Sequence, residues 1–223
     1  MKVLFDHKQK TAEDIYSFYF KSLLPVSYTA GQFIELHIPH SNPDERGTKH
    51  WFTLSSSPGE DFLTITTKFS SPGSSFKQAL KKLKPGTELF MADPMGDFVL
   101  PKDPSIPLVF VAGGIGITPY RSMISWLTAQ NEQRNIVVIY DAKKKTQLAF
   151  LPLLKQYNLK IIEHTDDSLT AETILSLSKP QPNSLIYLSG PEPMIEALVE
   201  QFKSSAHDMS KIVTDYFPGY TVL

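Results

Sequence analysis

The chain is predicted to be a small antiparallel β-barrel followed by an α/β domain with a parallel sheet. Three observations predict this. Short apolar stretches of strand character, punctuated by Pro and Gly, fill the first hundred residues. Three prolines fall within Pro101–Pro107, where the character of the chain changes. Beyond them, apolar runs too short for helices alternate with helical stretches, as right-handed βαβ units require. The expected domains are therefore 1–100 and 101–223.

Phe33–Ile38 alternates with period two until Pro39 closes it. Phe62–Lys68 is rich in β-branched residues, and Glu88–Ala92 follows the turn Lys84-Pro85-Gly86-Thr87. One helix interrupts these strands: from Ser75, residues Phe76, Ala79, Leu80 and Leu83 recur at helical spacing and stop before Pro85. In the second half Leu108–Ala112, Ile136–Tyr140, Leu159–Glu163 and Leu185–Leu188 read as buried strands, and a helix runs through Met123, Ile124, Trp126 and Leu127.

Composition narrows the chemistry. The 223 residues carry 22 Lys+Arg and 23 Asp+Glu, a net charge of −1, which gives no surplus for gripping phosphate backbones and argues against a nucleic-acid binder. There is no cysteine, so disulfides, cysteine-ligated clusters and thiol nucleophiles are excluded together. The six histidines lack the HExxH spacing of zinc hydrolases, and no metal site is expected. No run approaches the ~18 apolar residues of a membrane span, and the start Met1–Asp6 turns charged at once. A cytoplasmic protein without a signal peptide is expected.

Ala112-Gly113-Gly114-Ile115-Gly116-Ile117-Thr118-Pro119 is the most informative stretch. It leaves a strand and opens a helix, where Gly lets the backbone approach a pyrophosphate and the helix N-terminus offers N–H groups and partial positive charge. Pro119 suits a first helical turn. The spelling is not GxGxxG, because Pro119 stands where the third Gly would. Asp141, after the strand ending at Tyr140, could hold a ribose hydroxyl, while Lys143, Lys144 and Lys145 could hold a 2′-phosphate; the choice between the two stays open.

Gly-Gly-Ile-Gly-Ile-Thr-Pro resembles the nicotinamide-nucleotide loop of the ferredoxin–NADP(+) reductase-like flavoproteins, which pair a flavin barrel with an NAD(P) domain in this order. Ser189-Gly190-Pro191-Glu192-Pro193-Met194 resembles that family's Cys-Gly-Pro-x-x-Met element, with Ser189 in place of cysteine. His50-Trp51-Phe52-Thr53-Leu54-Ser55-Ser56 is similar to its flavin signature Arg-x-Tyr-Ser/Thr-x-x-Ser. The end Asp215-Tyr216-Phe217 resembles its terminal acid-x-Phe element.

The resemblance implies an FAD-dependent NAD(P)H oxidoreductase, with FMN less favoured. It implies cofactor-binding roles for His50, Phe52 and Thr53, for Thr66, Thr67 and Lys68, and for Gly73, Ser74, Ser75 and Phe76. On the nucleotide side it implies Gly113, Gly114, Gly116, Thr118, Pro119, Gly190, Pro191 and Met194. Thr53 would orient the flavin, Phe52 would stack on it, and Phe217, then Tyr220, would be its neighbours near the end. His50 replaces an arginine; on a flavin phosphate its pKa would rise, with Lys49 or Arg46 supplying missing charge. Lys68, Lys77, Lys81, Lys82 and Lys84, with no acid between Phe69 and Thr87, could neutralise phosphates or dock an acidic electron-transfer protein. Electrons would go to such a protein or to a small oxidant. Without cysteine, any iron–sulfur centre would sit on another chain. Two alternatives share the fold: a reductase with loosely held flavin, and a non-catalytic nucleotide-sensing or scaffold subunit.

Overall fold

The computed structural model describes residues 1–71, 73–157, 159–165 and 169–217, with Phe217 described by its backbone alone. Six antiparallel strands form the first half: β1 (Lys2–Ala12), β2 (Ile15–Ser22), β3 (Phe33–His37), β4 (Lys49–Thr53), β5 (Leu63–Lys68) and β6 (Glu88–Met91), in the order β4-β3-β6-β1-β2-β5. A bridge between Leu54 and Ile65 brings the two ends of this sheet together. Helix α1 (Ser75–Lys81) closes the barrel with Phe76 and Leu80 wholly buried. Its N-cap is Ser74, whose hydroxyl accepts from Lys77 N–H at 3.1 Å.

The strands β1 and β2 form a long hairpin that sequence reading passed over. Only Val3 and Phe5 of β1 are buried; Lys8, Gln9 and Lys10 face solvent, so the apolar alternation fades after five residues. Ala12 pairs with Ile15 across the two-residue turn Glu13-Asp14, with Asp14 at φ 58°.

The second half is a five-stranded parallel sheet in the order β11-β10-β7-β8-β9: β7 (Leu108–Gly113), β8 (Ile136–Asp141), β9 (Lys160–His164), β10 (Leu185–Pro191) and β11 (Ile212–Phe217). Every residue of the central β7 is buried, which explains its uninterrupted apolar run. Helices α2 (Ile117–Ala129), α3 (Leu151–Leu154), α4 (Ala171–Ser178) and α5 (Glu192–Ser204) cover the sheet. The chain lays down β7, β8 and β9 outward on one side, then crosses to β10 and β11 on the other. The switch point therefore lies between β7 and β10, where open α/β sheets bind ligands beyond their carboxyl ends.

The two sheets share an apolar seam. Ile15, Ala30 and Phe98 from the first half pack in one cluster with Phe110, Tyr120 and Met123 from the second. Gly31 is packed tightly at this seam: at φ 103°, an added Cβ would sit 2.1 Å from Phe98 O of the same half and 2.6 Å from Met123 Cε of the other. Among the described residues, no helix is long and apolar enough to cross a membrane.

Candidate functional site

The loops after β7 and β10 meet at the switch point, and their glycines serve different ends. A Cβ on Gly116 would lie 2.0 Å from Ser189 O, and one on Gly113 would lie 2.3 Å from Met194 Sδ. Gly190 in turn has Gly113 Cα only 3.2 Å from where its Cβ would be. These three are small because the two loops press on each other. Gly114 alone has φ 53° and nothing within 4 Å of its Cβ position, so it faces open space. Thr118 and Pro119 are buried in the first turn of α2, and the Thr118 hydroxyl donates to Ile115 O at 3.0 Å. Met194 and Pro191 lie beneath Gly113.

Ser189 is fully buried at this junction, and its Oγ is 3.5 Å from Asp215 Oδ2 on the neighbouring β11. Burial pushes the Asp215 carboxyl up to about 6, the nearby Ser189 hydroxyl pulling the other way. The Phe217 backbone pairs with Pro191 in β11; its side chain and Tyr220 lie outside the described residues.

On the barrel side, β5 lies against the turn Gly114–Gly116. Strand β4 carries His50, Phe52 and Thr53, all buried. The His50 ring packs on Phe76 at 4.2 Å, and Phe52 stacks with Phe76 at 5.9 Å. Phe52 is 9% exposed, while Trp51 on the opposite face is 62% exposed. Phe76 belongs to the barrel core, so only its backbone is left for the cofactor contact expected of it.

The hydroxyls expected to hold phosphate are largely engaged within the protein. Ser75 N–H donates to Asp44 Oδ2 at 2.8 Å, and Ser75 Oγ accepts from Asp44 N–H at 2.9 Å. Ser74 is the helix cap. Thr66 Oγ1 sits in a buried hydroxyl chain, 2.8 Å from Ser17 Oγ and 2.9 Å from Ser55 Oγ, with Thr67 buried beside it.

Charge at this end comes from lysine and arginine instead. Burial, then the neighbouring cations Arg46 and Lys68, lower the pKa of Lys77. Its Nζ donates to Lys68 O at 2.7 Å. Lys68 Nζ donates across to Gln147 Oε1 at 3.0 Å. His50 is held neutral at pH 7: burial, then Lys77, take its pKa down to about 4. The rise expected on a flavin phosphate is thus opposite to the shift found here. Lys49 is directed elsewhere, to Glu35 at 3.2 Å, so the nearby permanent charge is that of Arg46, which also pairs with Asp44 at 2.7 Å. Mutually repelling cations, one of them largely buried, are a donor set suited to a diphosphate.

Beyond β8, Asp141 Oδ1 pairs with His164 Nδ1 at 2.7 Å, and Lys144 pairs with Glu13 at 3.3 Å. Asp141, expected at the ribose, and Lys144, one of the three lysines expected at a 2′-phosphate, therefore each have a partner. Among the described residues no three His, Asp or Glu side chains are grouped to hold a metal.

A barrel with an electropositive corner is set against a glycine loop at the switch point of a parallel sheet, and this two-part fold is shared with known proteins. Residues 110–200 match the family model described as the oxidoreductase NAD-binding domain. The chain is 25% identical to flavohemoprotein A of Dictyostelium discoideum over 97% of its own length. It is 27% identical to the glycine betaine monooxygenase reductase subunit of Chromohalobacter salexigens over 88%. It spans 60% and 58% of those two relatives. Ferredoxin-NADP+ reductase from Plasmodium falciparum superposes with a TM-score of 0.78 over 97% of this chain and 95% of that one, at 16% identity. The chain thus carries an oxidoreductase NAD-binding domain over residues 110–200, and its whole fold is similar to that of the ferredoxin–NADP(+) reductases.

Proposed function

We propose that the protein is an NAD(P)H-dependent FAD oxidoreductase that passes electrons on to a separate acidic carrier protein or a small oxidant. The observation carrying this reading is the juxtaposition of the open Gly114 turn with β5 and the barrel's cationic corner. A nicotinamide nucleotide and a flavin diphosphate would then enter one crevice from two sides. The flavin supplies the chemistry, accepting hydride and releasing electrons singly or in pairs.

The chain's own residues bind and align. Gly114 would admit the nucleotide pyrophosphate, with α2's first N–H groups facing it. Gly113, Gly116, Gly190 and Met194 hold the two loops together beneath it. Lys77, Lys68 and Arg46, with the Gly73 backbone, would hold the flavin diphosphate, and Thr53 would orient the ring. Phe52 would offer a ring edge, backed by Phe76 and His50. Asp215, with its raised pKa, would hold a proton at the Ser189 end below about pH 6. We assign 1–100 to the flavin domain and 101–223 to the nucleotide domain. Dependence on a nicotinamide nucleotide also favours the cytoplasm.

Anaerobic titration of the flavin-loaded chain with NADH and NADPH in turn tests the reading. Loss of the flavin absorption band with at least one nucleotide is expected. A band that persists with both would refute it and favour a non-catalytic subunit.

A further inference from the structure

We propose that Arg121, seconded by Ser122, is the positioning residue that sets the gap between the nucleotide loop and the flavin strand. This rests on the oxidoreductase reading above. Arg121 lies three residues beyond Thr118 on α2. Its Nη1 donates to Ser55 O at 2.7 Å and to Glu60 Oε1 at 2.6 Å. The same Glu60 oxygen accepts from Ser57 N–H and Ser57 Oγ, both at 2.9 Å, so the carboxylate is fixed before it meets the arginine. The next residue, Ser122, donates from Oγ to Ser56 O at 2.5 Å. Ser56 Oγ is itself held by Thr64 N–H at 3.0 Å and lies 3.0 Å from Tyr28 OH.

The bonded carbonyls are those two and three residues past Thr53, and the bonding residues follow directly on the nucleotide loop. Two helix residues thus tie the end of the flavin strand to the start of the nucleotide helix. The guanidinium also stands over the Phe150 ring at 5.8 Å. Phe150 has φ 61°, a conformation that bulky side chains adopt only when their surroundings impose it. Arg121 therefore joins a third segment, the one leaving the lysine loop after β8.

The apolar seam of Ile15, Ala30 and Phe98 keeps the two halves in contact, but apolar contact is non-directional and tolerates sliding. Hydrogen bonds from a planar, 18%-exposed guanidinium to a carbonyl and a fixed carboxylate do not. Arg121 is placed to act through Ser55 and Glu60 rather than on either cofactor. Hydride transfer is steeply sensitive to such alignment, about 100-fold for 1 Å.

Stopped-flow reduction of the flavin-loaded full chain tests this, comparing wild type with Arg121→Lys, Arg121→Met and Glu60→Gln. Four quantities are read: the limiting reduction rate, nucleotide Kd, the nicotinamide–flavin charge-transfer absorbance, and the melting temperature. Arg121→Met is expected to lower the limiting rate by about tenfold or more, with Kd within about threefold and a weakened charge-transfer band. Arg121→Lys, which keeps the charge and loses the planar guanidinium that presents Nη1 to both acceptors, should fall between. An unchanged rate, or a loss that follows Kd or flavin content while the band keeps its intensity, overturns the proposal. Should Arg121→Met fail to fold, Ser122→Ala must show a rate loss of about twofold or more at constant Kd; without it the proposal falls. A wild type that neither nucleotide reduces sinks the oxidoreductase reading and this inference together. A normal wild type with indistinguishable variants sinks this inference alone.

Discussion

Gly114 and Gly116 stand two residues apart and are glycine for opposite reasons. Gly116 has backbone atoms of Ser189 and Gly190 where a Cβ would go, and none of these can rotate away. Gly114 has space but a left-handed φ. Gly116→Ala should therefore cost about 3 kcal/mol or more, and Gly114→Ala about 1 kcal/mol, measured by urea unfolding. A Gly116→Ala protein as stable as Gly114→Ala would show that the two loops can part without cost. Asp215 makes a second claim at this scale. Its folded pKa, about 6, exceeds the ordinary 3.8, so folding favours the protonated acid. No penalty applies below the unfolded value; the penalty grows as pH rises from about 4 to about 6 and is then constant. Asp215→Asn should thus gain stability at pH 8, on the order of 3 kcal/mol, and little at pH 4. An equal effect at both pH values would contradict the burial argument.

Elements show how the barrel's cationic corner is assembled. Helix α1 begins where Ser74 caps it and Asp44 ties Ser75 to the 40s loop. Lys77, one position into that helix from Phe76, is thereby carried inward beside Arg46 and Lys68. Holding a buried ammonium among like charges is unfavourable until an anion arrives. Lys77→Met should leave the flavin-free chain as stable as wild type or more so, by urea unfolding. It should weaken flavin binding by about tenfold or more, by fluorescence quenching, since a charge-assisted hydrogen bond contributes about 1.5–3 kcal/mol. Weakened folding with unaltered flavin affinity would make Lys77 a structural residue only.

Across the whole molecule, the halves meet at the apolar seam and through polar contacts among the described residues, including Lys68 to Gln147, Tyr187 to Val99 and two clasps of several bonds each. One is Arg121 and Ser122 on the segment Ser55–Glu60. The other is the β1–β2 turn, where Glu13 N–H donates to Thr146 O at 2.9 Å and its carboxylate accepts from the Thr146 hydroxyl and Lys144. A ligand seated between halves so joined stabilises both. At about 100 times its Kd, FAD should add about 2.7 kcal/mol, raising the melting temperature by roughly 5–10 °C for a chain of this size. A melting temperature indifferent to FAD would place the flavin outside the folded crevice.

Much of this architecture is legible in local pattern. The runs Leu108–Ala112, Ile136–Tyr140 and Leu185–Leu188 read as strands because a central parallel strand is buried on both faces. The Gly113–Pro119 turn reads as a strand–helix junction because its glycines and proline are local constraints. The β1–β2 hairpin escaped because half of β1 faces water and keeps no alternation. At the site, the order of segments from His50 to Asp215 was readable; their partners were not. Arg121 meets Glu60 across 61 residues, Glu13 meets Thr146 across 133, and Ser189 meets Asp215 across 26. Residue spacing along a chain specifies which face of an element is apolar. It carries no information on which distant polar group that face will meet. The amino-acid order alone thus settled the succession of a barrel and a parallel α/β sheet, the glycine turn from strand to helix after Leu108–Ala112, and the absence of thiols. Folding in three dimensions assigned Gly116 to packing and Gly114 to open space, neutralised His50, and set Arg121 against Ser55 and Glu60 of the other half, because burial and close approach exist only once separate segments have come together.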